Sequence, residues 1–138
     1  RLDEVHAKIL SFKLKHLDGY VNRRRQLAEN YRRFLSGSEL ILPEEAPGNR
    51  HAYHIYAARH PRRDTIIEEL KKQDIFLNIS YPWPVHMMRG YSWLNYKEGD
   101  LPVTEVLAKE IFSLPIYPSL TEDEQERVCQ AILKILGQ

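Results

Sequence analysis

Between Asn78 and His86 the chain reads Asn-Ile-Ser-Tyr-Pro-Trp-Pro-Val-His, which places a hydroxyl at Ser80, a phenol at Tyr81 and an imidazole at His86 on one short segment. Pro82 and Pro84 stiffen the backbone beneath them, because proline fixes its own φ and restricts the residue before it. A stiff rim of polar and aromatic groups is what a binding cleft needs to place its contacts without a large ordering cost. The same residues also read as a loop whose aromatics close one edge of the core. Either aromatic–proline bond is a candidate for the cis form.

Other chemistry-bearing residues are sparser. His51-Ala-Tyr-His54 has the spacing of a zinc pair on a helix, where residues three apart share a face. On a strand the odd separation sends the two rings to opposite sides. No cysteine or second histidine pair completes a ligand set, so no metal site is expected. Cys129, the one cysteine, falls beside an apolar stripe and reads as a small buried hydrophobe. The chain carries no glycine-rich phosphate loop, no Gly-x-Ser-x-Gly elbow and no His-Glu-x-x-His. It holds no complete active site of its own.

The elements that position these residues must fit within 138 residues, about one domain. Hydrophobic residues at 43% and charged residues at 28% describe a globular chain rather than a disordered one. No apolar run approaches the ~20 residues of a membrane span, and a lone cysteine points to the cytoplasm rather than an oxidising compartment. The polar opening Arg1-Leu2-Asp3-Glu4 is no secretory leader and, lacking an initiator Met, reads as the interior of a longer protein. Up to Phe34 there are nine Lys and Arg against four Asp and Glu, whereas the remainder holds eleven against fifteen. The basic segment and its Arg23-Arg24-Arg25 cluster admit a nucleic-acid-binding reading beside that of a solvated or subunit-facing helix surface.

Leu2, Val5, Ile9, Phe12, Leu17, Tyr20, Leu27, Tyr31 and Leu35 recur mostly at helical steps. They predict one long helix or two abutting ones from about Leu2 to Phe34, with any kink at Leu17-Asp18-Gly19 and an end at Ser36-Gly37-Ser38. Ala52 to Arg59 reads as a strand, and Asp64 or Thr65 caps a helix with capping-box spacing to Glu68. Short strands are expected at Ile75–Ile79 and Ser113–Tyr117. Pro102 opens a helix whose buried stripe is Val103, Val106, Leu107 and Ile111. Thr121-Glu122-Asp123-Glu124 caps a last helix buried through Val128, Ala131, Ile132, Ile135 and Leu136. The predicted class is α+β, a small and mainly antiparallel sheet of about three or four strands covered on one face by helices. Residues 1–36 form the long N-terminal helix and residues 37–138 the rest.

Arg1-Leu-Asp-Glu-Val-His-Ala-Lys-Ile-Leu10 resembles the Asn-x-Arg-x-Asp-Glu-x-Gln-Ala-Ala-Ile-Leu stretch of the DegT/StrS-type sugar-nucleotide aminotransferases. The likeness continues through Arg24 to Tyr31, Tyr53-His54-Ile55-Tyr56, Arg63-Asp64, Tyr-Pro-Trp-Pro-Val-His86, Gly-Asp-Leu-Pro-Val-Thr-Glu105 and Ser-Leu-Pro-Ile-Tyr-Pro118. It covers essentially the whole chain, and the proline-rich and Gly-Asp-x-Pro pieces look most like the branch acting on dTDP-3-keto-6-deoxyhexoses. Two positions depart from the pattern. Ser80 stands where the family's usual His-Tyr-Pro has histidine, and Lys8 replaces a small alanine. The Asn that precedes Arg1 in the family motif has no counterpart in the chain.

The resemblance implies the C-terminal small domain of a fold-type I pyridoxal-phosphate enzyme, joined to a large domain by its first helix and working as a homodimer. It implies an amino group taken from glutamate and passed to a keto group on a nucleotide-linked sugar, with neither nucleic acid nor membrane as partner. Ser80, Tyr81 and His86 would border that substrate, and Arg1 would reach across the dimer toward the partner's cofactor. The family's Schiff-base lysine lies upstream of the Asn-x-Arg motif, whereas every lysine here, from Lys8 to Lys134, lies downstream. The fragment alone is therefore expected to be inactive and to bind no pyridoxal phosphate covalently.

Overall fold

A computed structural model describes residues 3–138. Helix α1 (Glu4–Leu14) starts at Asp3, whose carboxylate accepts the Val5 N–H at 2.8 Å, and α2 (Leu17–Leu35) follows directly. The break falls at Lys15–His16, just before the expected Leu17–Gly19. There the N–H groups of Lys15 and His16 turn back to carbonyls three residues earlier, at 3.3 and 3.0 Å, and end α1 in a tightened turn. The rings of Phe12, His16 and Tyr20 step across the junction with centroids 5.2 and 6.1 Å apart.

Strand β1 (Tyr56–Arg59) pairs antiparallel with β2 (Ile111–Leu114), Tyr56 facing Leu114 and Arg59 facing Ile111. Single bridges extend the ladder on both sides, Ile41 to Arg59 and Asn78 to Ser113. The sheet is thus two-stranded, smaller than the three or four strands expected. At Tyr53 a φ of +45° interrupts the extended run that the aromatic and β-branched residues from Ala52 suggested. The Ile75–Ile79 segment touches β2 only through Asn78, and β2 itself lies earlier than Ser113–Tyr117 because Pro115 and Pro118 cannot donate to a ladder.

Helix α3 (Arg63–Lys71) begins earlier than Asp64 or Thr65, so no Thr65–Glu68 capping box forms. The turn before it is held by His60, whose Nδ1 accepts the Arg62 N–H at 2.9 Å. Buried Arg63 donates to Asp64 Oδ1 at 2.8 Å and to the Ala108 carbonyl, tying this end of α3 to helix α4 (Pro102–Glu110). Helix α5 (Glu122–Leu136) has the expected capping box, Thr121 and Glu124 bonding each other's backbone N–H, and ends at Gly137 with φ +82°.

The core lies between α2, α3, α5 and the sheet: Leu27, Tyr31, Leu35, Tyr56, Ile66, Leu70, Phe112 and Ile132 are all essentially inaccessible. Cys129 belongs to it, and burial pushes its thiol up to about 12. Gln125 crosses from α5 to α2, donating to the Leu27 carbonyl at 2.6 Å and accepting from Asn30 at 3.3 Å. No described helix is long and apolar enough to cross a membrane.

Candidate functional site

The segment that follows the sheet edge is pinned at its start by Asn78, whose N–H and carbonyl bond Ser113 at 3.5 and 2.7 Å. Asn78 also donates through Nδ2 to Ser80 Oγ at 3.2 Å. The peptide bond between Ser80 and Tyr81 is cis, and those before Pro82 and Pro84 are trans. From there the rings turn outward. Tyr81 is 78% exposed and Trp93 71%, with Trp83, Val85, Met87, Tyr91 and Tyr96 also open to solvent. Two 3₁₀ segments, Val85–Met87 and Arg89–Leu94, give this loop its shape through short local bonds such as Met87 N–H to Pro84 O at 2.9 Å.

His86 is the exception, only 7% exposed. Its Nε2 lies 3.0 Å from Glu105 Oε1 in the first turn of α4, and its ring meets the Tyr96 ring edge-on at 5.9 Å. Glu105 also accepts the Gly99 N–H on both oxygens, at 3.0 and 2.9 Å, and the Leu101 N–H at 3.3 Å. The Gly99 hydrogen bonds, then the one to His86, hold its carboxyl below the usual carboxylate range. Gly99 has φ +94°, a conformation that suits glycine and aims its N–H at the acid.

The sequence-selected residues therefore occupy different settings. Ser80 is half-buried and bonded to Asn78, Tyr81 faces solvent, and His86 is buried against Glu105, with no hydrogen bond among the three. Arg1 lies outside the described residues. Glu105 ends the Gly-Asp-Leu-Pro-Val-Thr-Glu motif, and only the fold shows what it binds. The signal was there in physical form: an acid in the first turn of a helix opened by Pro102, where unpaired N–H groups face a carboxylate.

The basic cluster turns inward. Arg23 donates to the Leu120 carbonyl at 2.8 Å, and Arg24 reaches the carbonyls of Ile116, His54 and Tyr53 at 2.9, 3.1 and 3.3 Å. Arg25 binds Glu45 at 2.8 Å and the His51 carbonyl at 2.9 Å. These guanidiniums staple loops onto α2, which leaves little of the cluster for phosphates. His51 accepts the Tyr53 N–H on Nδ1 at 2.9 Å, and among the described residues no group of His, Cys, Asp and Glu could hold a metal ion.

Two apolar faces remain open. Helix α1 buries none of its residues, and a groove of about 810 Å³ beside it is lined by Leu10, Leu14, Leu17, Tyr20, Arg24 and Pro118. On α4, Val103 is 72% exposed and Val106 is open as well, so the expected Val103–Val106–Leu107–Ile111 stripe is not buried; only Ala108 is. The helix is amphipathic, but among the described residues nothing covers its apolar face.

This small sheet covered by helices is matched over its whole length by solved fold-type I aminotransferases of the DegT type. The X-ray structure of Streptomyces venezuelae DesV in complex with a ketimine intermediate superposes on all of this chain with a TM-score of 0.96 and 35% identity, matching 38% of DesV. The model of the DegT/DnrJ/EryC1/StrS aminotransferase family matches residues 1–133, and the chain belongs to that family. It is 52% identical over 141 residues to the dTDP-3-amino-3,4,6-trideoxy-alpha-D-glucose transaminase of Micromonospora megalomicea subsp. nigra, covering 99% of this chain and 38% of that protein. It is also 42% identical over 135 residues to a pleiotropic regulatory protein of Geobacillus stearothermophilus, covering 96% of this chain and 36% of that one. The chain thus spans little more than a third of the length of these relatives.

Proposed function

We propose that this chain is the C-terminal part of a pyridoxal-phosphate aminotransferase that moves an amino group from glutamate to the keto group of a nucleotide-linked sugar, in deoxyamino-sugar or surface-polysaccharide synthesis. Residues 1–36 link to a large domain, residues 37–138 form the small domain, and the working unit is a homodimer. Ser80, Tyr81 and His86 line the sugar side. Arg1 reaches the partner subunit's site, where a guanidinium suits a phosphate or carboxylate through its paired donors. One observation carries the reading. The loop from Tyr81 to Leu101 is shaped by its own hydrogen bonds yet leaves its aromatic rings uncovered, in a chain aligned over 99% of its length with a dTDP-sugar transaminase.

Pyridoxal phosphate supplies the electron sink for transamination when bound, and its site needs a desolvated lysine, an acid against the ring nitrogen and phosphate donors. All eight lysines of this chain are exposed; Lys72 pairs with Glu69, Lys109 with Glu98, and Lys13 edges the open groove by α1. The described residues do not form that site. In this reading it belongs to the part of the protein outside this chain, and borohydride reduction of the chain with the cofactor labels no single lysine stoichiometrically. Mass spectrometry checks that outcome.

The activity is tested by incubating the full-length protein with glutamate and a dTDP-3-keto-6-deoxyhexose and weighing the sugar product. Conversion to the amino sugar is expected. No transfer to any dTDP- or UDP-linked keto sugar would overturn the reading.

A further inference from the structure

Residues 81–101 are held by very little. His86 is the one buried residue among them. The hydrogen bonds that leave this stretch for other described residues all end on Glu105: His86 Nε2 at 3.0 Å, the Gly99 N–H on both oxygens, the Leu101 N–H at 3.3 Å, and the Glu105 N–H itself to the Leu101 carbonyl at 3.1 Å. The other tie is an ion pair between Glu98 and Lys109 at 3.8 Å, with both side chains three-quarters exposed, a kind that contributes little. The remaining bonds, such as Tyr91 N–H to Met88 O and Lys97 N–H to Asp100 Oδ2, are local and give shape without attachment.

Glu105 is well placed to serve as the attachment. Its side chain is only 11% exposed, so its hydrogen bonds face little competition from water. It gathers donors from both ends of the stretch, His86 near the start and Gly99 and Leu101 at the finish. One carboxylate thereby closes the stretch from His86 to Leu101 against the first turn of α4.

We infer that Glu105 is a positioning residue for the sugar side of the enzyme, clasping residues 81–101 in the one arrangement that presents Tyr81 and Trp83 to the nucleotide-linked sugar. The inference rests on the function proposed above. Glu105 itself does not touch substrate; it acts through His86, Gly99 and Leu101. Losing the clasp leaves the loop with local turns only, and the aromatic surface then samples many arrangements, each binding the sugar poorly.

The test uses the full-length protein with Glu105→Ala, Glu105→Gln and Trp83→Ala, read by amide hydrogen exchange and by steady-state kinetics. Glu105→Ala should speed exchange across 86–101 by about ten-fold or more. It should also raise KM for the nucleotide sugar about ten-fold, with a smaller fall in kcat. Glu105→Gln, whose amide oxygen still accepts from Gly99 and Leu101, should fall between wild type and Glu105→Ala in both readings. It carries the test alone if Glu105→Ala does not fold. Trp83→Ala should raise the same KM without loosening 86–101. Faster exchange with an unchanged KM in the Glu105 variants, while Trp83→Ala raises KM, would overturn the positioning role and leave the proposed function standing. If neither Glu105 nor Trp83 variants move the sugar KM, the placement of this loop at the sugar fails and the inference falls with it. Unchanged exchange in Glu105→Ala would overturn the clasp directly.

Discussion

Helices α5 and α4 carry apolar residues at the same three- and four-residue steps, yet α5 buries Val128, Cys129, Ala131, Ile132 and Leu136 while α4 buries only Ala108. Periodicity reports that a helix has an apolar face; it does not report that a partner for the face lies in the same chain. Helix α1 repeats the point, with Val5, Ile9, Leu10, Phe12 and Leu14 all exposed. The molecule thus divides into a packed part, α2, α3, α5 and the sheet, and an open part, α1, the 81–101 loop and the outer face of α4. In the proposed function the open part meets the rest of the enzyme and its substrate.

The comparison breaks most visibly under truncation. Ile132→Ala or Phe112→Ala, both at fully buried positions, should cost about 2–5 kcal/mol, read as a lowered urea midpoint of this chain. If either substitution is nearly neutral, the packed part is not where the stability resides. An intermediate effect belongs to acid. Held below the ordinary carboxylate range, Glu105 contributes stability that is present above the unfolded Glu value of about 4.3 and is lost as pH falls through its lowered value. Both tryptophans of the chain, Trp83 and Trp93, lie on the 81–101 loop, so the anisotropy of their fluorescence reads how freely it moves. Anisotropy should fall only below the ordinary Glu range, and Glu105→Gln should remove that acid step.

Smaller changes sharpen the contrast. Val103→Ser on the open face of α4 should shift the stability of this chain by no more than about 0.5 kcal/mol, as surface changes usually do. A cost of several kcal/mol by the same urea titration would mean that this face is covered after all. Tyr56→Phe works in the opposite direction. The Tyr56 hydroxyl is buried without a hydrogen-bond partner among the described residues, and burial raises its pKa. Removing it should leave stability unchanged or raise it by up to about 1 kcal/mol in thermal unfolding.

What could be read from the residues alone follows the same division. The Thr121–Glu124 capping box, the α5 stripe and buried Cys129 were legible because local chemistry and core packing agree there. The Thr65–Glu68 pattern has the same spacing but lost to a tertiary effect, His60 and Arg63 starting α3 earlier. Strand β1 starts later than the aromatic and β-branched residues from Ala52 suggest, because nothing in Tyr53 announces a positive φ. In the candidate site, the stiff Ser80–His86 segment was visible in its prolines. The pairing of His86 with Glu105 was not, since it joins residues 19 apart through a turn that only the folded Gly99 backbone defines.

In the proposed function the Tyr81 to His86 rim serves the sugar rather than closing the core. Single-turnover kinetics of the full-length protein carrying Tyr81→Phe, with the glutamate and sugar half-reactions followed separately, tests it most directly. Loss of one hydrogen bond to a tightly held substrate should slow the sugar half-reaction by about ten- to a hundred-fold, far more than the glutamate half-reaction. Equal rates in wild type and Tyr81→Phe for both halves would contradict it.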